Sequence, residues 1–280
     1  MKTLLEENRN YVDRHLERYL ENDQPLLDTL FESVNYTLFS GGKRIRPLFC
    51  FLSGELFGVS RDRLVSLACA LEMIHTASLI MDDLPHMDGA ELRRGKAANH
   101  LVYGQDVAAL ASIGLLLRAY EVVFEDPQLS DSLKTGIVHH LAGAVGIGGM
   151  VGGQFADLYF SGSGSKETAL DFIHRRKTAS LFVASGVTAA MVGDASAEQI
   201  AALDIFARNF GVCFQILDDL SDRQDGGDGA ESANYVTVHG VEKAEQTARD
   251  SLHRALAALE IFAGKNEKLL ALCTLLQHNR

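Results

Sequence analysis

Cysteine is sparse in this chain of 280 residues, and the four present, Cys50, Cys69, Cys213 and Cys273, are scattered without a Cys-x-x-Cys pair. That spacing offers neither a disulfide framework nor a thiolate zinc site. Proline is rarer still for the length, at four residues, and strand-like alternation of apolar and polar residues is scarce. No uninterrupted apolar run reaches the ~18 residues that a bilayer span needs. The first twenty residues, "MKTLLEENRNYVDRHLERYL", are too heavily charged for a signal peptide. The expectations are therefore no membrane span and a cytoplasmic location. Basic charge is also short: 26 Lys and Arg against 37 Asp and Glu leave a net charge of −11. That balance argues against a nucleic-acid partner held by counterion release. An anionic ligand would need a local basic pocket or bound metal ions.

What is present is helix periodicity almost throughout. "PLLDTLFESVNYTLF" sets Leu26, Leu27, Leu30, Phe31, Val34 and Leu38 on one stripe. "RLVSLACALEMIHTASLI", "DVAALASIGLLLRAYEVVF" and "AEQIAALDIFARNFGVCFQILDDL" behave likewise, and several run apolar nearly all round, as central helices of a large bundle do. Breaker-rich loops fall at "GGKRIRP", "DLPHMDGAELRRGKAANH", "SGSGSKE" and "DRQDGGDGAESAN". With no repeat and no dividing linker, residues 1–280 read as one all-α domain. "AGAVGIGGMVGGQFADL" carries six glycines in a helical context. Glycine costs about 1 kcal/mol against alanine there, so close helix packing or room beside a ligand chain is expected.

Two acidic clusters carry the chemistry. "IMDDLPHMDGAELRRG" holds Asp82, Asp83 and Asp88, and "FQILDDLSD" holds Asp218, Asp219 and Asp222. Asp218 and Asp222 share a helical face at i, i+4. Pro85 disfavours a regular helix after Asp83, so a local turn is expected to bring Asp88 back towards Asp82. A solvated helix end explains either cluster alone. Both, however, terminate strongly apolar helices, where unpaired carboxylates are desolvated and repel one another. Oxygen ligands without an adjacent Cys/His set point to Mg²⁺, which binds through few carboxylates plus substrate phosphates. The basic residues are clustered too: Lys43, Arg44 and Arg46 in "GGKRIRP", Arg93 and Arg94 in "ELRRG", and Arg175, Arg176 and Lys177 in "HRRKTASLF". Arginine forks match phosphate oxygens, and glycine admits close backbone approach. Acids, metals, a diphosphate and arginines then form one alternating charge lattice.

"GGKRIRP", "IHTASLIMDDLPHMDGAELRRG", "GGQFADL", "KTASLF" and "FQILDDLSD", in that order and at that spacing, make the chain resemble the trans-isoprenyl diphosphate synthases over nearly its whole length. The nearest type is the bacterial geranylgeranyl diphosphate synthase. The resemblance implies the isoprenoid synthase fold, an all-α bundle around a deep central cavity, usually as a homodimer. It implies two aspartate motifs facing each other across the cavity mouth, with Asp82, Asp83 and Asp88 in one and Asp218, Asp219 and Asp222 in the other, binding Mg²⁺. It assigns Lys43, Arg46, His75 and Arg94 to isopentenyl diphosphate. Arg93, Lys177, Thr178 and Gln215 are assigned to the allylic diphosphate (dimethylallyl, geranyl or farnesyl).

The implied reaction belongs to isoprene biosynthesis and runs by ionisation, condensation and elimination. It needs no protein nucleophile, only positioning and stabilisation of a departing anion. Ala77 and Ser78, near the fifth residue before Asp82, leave open the space that an aromatic ring fills in many farnesyl-forming synthases, so a C20 product is expected. Farnesyl diphosphate is the alternative product, a terpene cyclase or a non-catalytic partner subunit the alternative role. Where the family carries loop lysines after the second motif, this chain has Gly227 and Ser232, which is expected to weaken closure over the diphosphate. "GKAANH" likewise puts Ala97 where proline is usual.

Overall fold

A computed structural model describes residues 2–159, 166–224 and 234–278. The chain is helical, and among the described residues the one sheet is a two-stranded hairpin. The helices are α1 (Lys2–Tyr19), α2 (Asp28–Leu38), α3 (Ile45–Glu55), α4 (Arg61–Asp82), α5 (Asn99–Tyr103), α6 (Gln105–Glu125) and α7 (Asp131–Val145). They continue with α8 (Met150–Tyr159), α9 (Lys166–Ile173), α10 (Ala179–Val192), α11 (Ala197–Gln224), α12 (Tyr235–His239), α13 (Val241–Ala258) and α14 (Glu267–His278). β1 (Leu92–Arg93) and β2 (Lys96–Ala97) lie between α4 and α5. The all-α expectation holds. The contacts gather into two compact units, residues 2–51 with 60–138, and residues 52–59 with 139–280.

In the first unit α4 packs on α6, and α1 and α2 pack on α4. Its length from Leu64 to Ile74 is buried on every side, which is why its sequence is apolar nearly all round. The stripe expected over residues 26–38 begins later than its periodicity predicts. Pro25–Leu27 form a 3₁₀ turn ahead of α2, Leu26 is 99% exposed, and Val34 and Leu38 carry the burial. Proline suits that first turn but the tighter winding breaks the 3.6-residue register.

The basic loop ahead of α3 is anchored by Arg44, which is buried. Its Nε donates to Asp13 at 2.8 Å, one Nη to the buried Glu72 at 2.8 Å, and the other Nη to the Leu38 carbonyl at 2.7 Å. Arg44 therefore builds the loop, in contrast to the phosphate-recognition role its sequence context suggested.

In the second unit α11 packs on α10 and α13. The glycine-rich stretch spans the end of α7, a bend, and nearly all of α8. A Cβ on Gly153 would overlap the backbone of Arg176 and Lys177, so close packing, the first of the two reasons weighed, accounts for that glycine.

Four helical stretches are long and apolar enough, by length and composition, to cross a membrane: Arg61–Asp82, Gln105–Glu125, Asp131–Tyr159 and Ala197–Ser221. The sequence expectation counted uninterrupted apolar runs, whereas here isolated charges are averaged over a whole helix. Of the Arg61–Asp82 window 78% is buried inside the protein, against 39%, 28% and 39% for the others.

Arg44→Met should cost about 3–5 kcal/mol, because Glu72 would remain buried without its cation. Urea unfolding measures this, and Glu72→Gln in the same chain should recover part of the loss.

Candidate active site

The first aspartate motif is built where α4 ends. Asp83 caps the helix, and the chain turns back so that the Asp88 N–H donates to the Asp82 carbonyl at 2.8 Å. The Met87 and Gly89 N–H groups both donate to the Leu84 carbonyl, with Gly89 at φ +64°. Pro85 and Gly89 together produce the return that the sequence predicted. Asp82 is partly exposed and Asp88 exposed, while Asp83 is 1% exposed.

The buried Asp83 is held by Arg93. The Arg93 Nε lies 3.0 and 3.2 Å from the two Asp83 oxygens, and Nη2 donates to Oδ1 as well. Hydrogen bonding to Asp83 raises the Arg93 pKa further. Arg93 reaches it because "RRGK" is a hairpin turn: Arg93 pairs with Lys96, and Arg94 and Gly95 occupy the loop at φ +55° and +76°. Two successive positive φ values are those of a type I′ turn, whose twist matches antiparallel strands. Strands of two residues are too short to leave an alternation signal, so the sequence showed only a loop.

Arg94 leaves this turn towards the "GGKRIRP" loop, where it donates to the Gly41 carbonyl. Gly42 sits at φ +115°, and a Cβ there would come within 2.9 Å of the Arg94 guanidinium. The glycine is thus required twice, by backbone conformation and by the arginine against it. Desolvation, followed by the charges of Arg46, Arg94, Arg44 and Arg93, holds the partly buried His75 well below the usual histidine range. Burial likewise lowers Arg94. His75, Arg46 and Arg94, three of the four residues assigned to isopentenyl diphosphate, therefore share one electropositive neighbourhood. Lys43, the fourth, is exposed on the same loop.

The second motif sits near the end of α11. Asp218 is exposed and Asp219 is 6% exposed. The Asp219 oxygens accept from Gln215 Nε2 at 2.9 Å and from the Tyr235 N–H at 3.0 Å. Gln215 Oε1 in turn accepts from the Thr178 hydroxyl at 2.8 Å. Thr178 closes a π-helical turn, His174–Thr178, between α9 and α10, an irregularity that often marks functional positions. On that turn Lys177 pairs with Asp157 at 2.8 Å, and Arg176 donates to the Gly148 carbonyl. Thr178, Gln215 and Asp219 thus form one chain of hydrogen bonds, and "GGQFADL" supplies both the close approach at Gly153 and the Lys177 counter-charge. The roles of Asp157 and Tyr235 were missed; Asp157 stood inside a noted motif, and Tyr235 acts through its backbone, which no side-chain pattern reveals. Asp222 belongs to α11, but its side chain lies outside the described residues, as do Gly227 and Ser232.

Asp83 of the first motif is taken up by Arg93, and Asp219 of the second by Gln215 and Tyr235. Among the described residues no three His, Cys, Asp or Glu side chains form a ready-made metal cluster. An oxygen donor set of few carboxylates fits Mg²⁺ shared with a diphosphate, since that ion keeps several non-protein ligands.

Comparison with known proteins gives a consistent picture. The polyprenyl synthetase family profile matches residues 27–260. A chloroplastic geranylgeranyl pyrophosphate synthase of Capsicum annuum is 40% identical over 87% of this chain and 69% of its own length. A farnesyl diphosphate synthase of Geobacillus stearothermophilus is 38% identical over 96% of this chain and 87% of its own. The crystal structure of an apo FPP/GFPP synthase from Zymomonas mobilis is similar at a TM-score of 0.89 and 31% identity, covering 97% of this chain and 96% of that one.

The depressed His75 pKa makes folding depend on pH. The unfolded chain takes up a proton near 6.5, whereas folded His75 stays neutral until lower pH. Its contribution to stability is therefore complete above about pH 6.5 and is lost as pH falls towards the folded pKa. Urea midpoints measured from pH 7.5 to 5 should fall less steeply in His75→Gln than in the native chain. Parallel curves would show that His75 is not the group concerned.

Proposed function

The chain belongs to the polyprenyl synthetase family, and from that premise we propose that it is a trans-prenyltransferase joining isopentenyl diphosphate to allylic diphosphates, with geranylgeranyl diphosphate as its main product. The observation that carries this reading is the electropositive neighbourhood of His75, Arg46 and Arg94. A homoallylic diphosphate needs its own anion site, whereas a terpene cyclase has no use for one. A non-catalytic subunit would be expected to lose one aspartate motif, and both are present.

Mg²⁺ would be held by Asp82 and Asp88 of the first motif and by Asp218, with Asp222, of the second. When bound, it supplies positive charge that stabilises the departing allylic diphosphate. Asp83 and Asp219 act here as positioning residues: Asp83 orients Arg93, and Asp219 orients Gln215 and, through it, Thr178. Arg93, Lys177, Thr178 and Gln215 would contact the allylic diphosphate. Lys177 can exchange Asp157 for a phosphate oxygen without crossing the site, because an ammonium is a compact charge on a flexible stem. Lys43, Arg46 and Arg94 would hold isopentenyl diphosphate, with neutral His75 available for a hydrogen bond. Departure of the allylic diphosphate leaves a carbocation, the isopentenyl double bond attacks it, and a proton is lost, most simply to the released diphosphate. The apolar helices exclude water that would quench the cation.

A homodimer is part of the proposal. Leu110, Ile113, Leu117 and Phe124 stand exposed along one stripe of α6. Large exposed apolar patches mark association sites, and a second copy of this helix is the complementary surface that isologous packing requires.

Asp82→Ala and Asp218→Ala should each lower turnover by orders of magnitude in Mg²⁺-supplied assays, with unchanged helical circular dichroism. Near-native turnover in either variant would remove the metal assignment. Product length has its own test. Ala77 is 3% exposed, and its carbonyl accepts from the Ser112 hydroxyl at 2.7 Å. Ala77→Tyr should shift the product from C20 towards C15, at a packing cost of about 1–3 kcal/mol. A native product of C15, or a variant still making only C20, would place the floor of the chain-binding space elsewhere.

A further inference from the structure

A cavity of about 510 Å³ opens in the second unit among α9, α11, α12 and α13. Arg175, Arg208, Lys243 and Arg254 line it, against Asp171 and Asp250. Asp250 accepts from Gln246 Nε2 at 2.8 Å, and Arg208 is paired with Asp204 at 2.7 Å. The remaining balance is basic, in a chain whose net charge is −11. Such a concentration of cations in an acidic protein repels itself unless an anion joins it.

One wall of this cavity is a column of rings. Tyr235 stacks on His239 with centroids 4.2 Å apart, and the His174 ring centroid lies 5.5 Å from that of Tyr235. His174 has a side chain only 8% exposed, and its Nδ1 has no hydrogen-bond partner. A buried ring nitrogen without a partner is a costly feature in an apo site and an ordinary one beside a ligand. Among the described residues Val212 is the one aliphatic side chain in the lining, so an isoprenoid tail finds little to bury there.

We propose that this cavity binds a phosphoryl-bearing polyanion, a diphosphate or triphosphate chain, at a site separate from both aspartate motifs. Arg175, Lys243 and Arg254 hold its oxygens, His174 provides a hydrogen bond from the buried side, and the ring column accommodates any planar group the ligand carries. The size fits a ligand of nucleotide class, since small-molecule sites fall between about 300 and 1,000 Å³. Two sources share this chemistry, inorganic diphosphate or triphosphate and a nucleoside triphosphate. The site is also connected to the second motif. His174 Nε2 stands 3.7 Å from Asp219 Oδ2, and the Tyr235 N–H holds the same oxygen. Occupancy bracing α12 and α13 therefore bears on Asp219. The binding proposal stands without the prenyltransferase reading; only this last connection rests on it.

Equilibrium dialysis or calorimetry of the full chain, without Mg²⁺ and with EDTA, tests it using diphosphate, triphosphate and ATP as probes. The native protein should show a class of site that weakens at least tenfold in Lys243→Gln/Arg254→Gln and survives in Asp218→Asn. Lys243→Arg should retain it. ATP binding at least tenfold tighter than triphosphate identifies a nucleotide; equal affinities identify the inorganic anion. Absence of binding in the native chain, or equal binding in the double variant, overturns the proposal. Turnover with isopentenyl and allylic diphosphates, measured in parallel on the double variant without added probe, should equal native turnover. Loss of prenyl transfer in the native chain would count against the function proposed above and leave the binding result standing.

Discussion

The grip of Arg93 on Asp83 is the contact on which the first aspartate motif depends. Two adjacent carboxylates at the end of a buried helix repel each other and lack water to screen them. Here one of the pair is taken into the protein by a bidentate guanidinium, and a planar fork fixes direction as well as charge. The fork also determines the hairpin: Arg93 can face Asp83 only if Arg94 and Gly95 turn the chain, and that turn sends Arg94 the other way, to Gly41. Asp82 and Asp88, tied by a backbone bond of 2.8 Å, remain on the side of the turn that reaches solvent.

Asp219 of the second motif is buried without an Arg or Lys against it among the described residues. Asp219 is buried against an amide, a backbone N–H and a neutral ring, Gln215, Tyr235 and His174. Burial holds the His174 pKa below its ordinary value, with Asp219 acting against that shift. Hydrogen bonds to a carboxylate are worth more than those between neutral groups, and the one that Gln215 Nε2 donates to Asp219 sets the Gln215 amide so that its oxygen meets Thr178. The π turn is what lets Thr178 reach it. An extra residue in one helical turn fans His174, Arg175, Arg176 and Lys177 apart, so neighbours in sequence serve a carboxylate, a cavity, a glycine bend and an ion pair.

Much of this was legible beforehand. The helices followed from apolar periodicity, and the return of Asp88 followed from Pro85, because both effects are local. Tertiary choices were not legible. Nothing in "DDLPHMD" distinguishes Asp82 from Asp83, since adjacent positions differ only by rotation about the helix, and the decision belongs to an arginine ten residues on. Arg44 and Arg46 look equivalent in "GGKRIRP"; the buried Glu72 and the partly exposed Asp13, at distant positions, claim Arg44 for the loop. Gly153 could have made room for a ligand or for a helix until Lys177 was seen against it.

These particulars bear on how an acidic chain can handle diphosphates. Net charge governs the long-range field, which is screened within about 10 Å at moderate salt. Binding is decided inside that distance, by which cations remain available after internal pairing. Arg44 is consumed by Asp13 and Glu72, and Arg93 is shared with Asp83, whereas Arg94 donates to a neutral carbonyl and feels the Glu72 charge without pairing with it. Burial, with the surrounding arginines, also keeps His75 neutral, so the cluster gains a hydrogen-bonding group without gaining another charge. Adding a fifth positive charge would increase self-repulsion; a neutral imidazole offers direction instead. The anion-binding capacity therefore comes from where the carboxylates are turned away, and the burial of Asp83 and Glu72 contributes to it as directly as the arginines themselves.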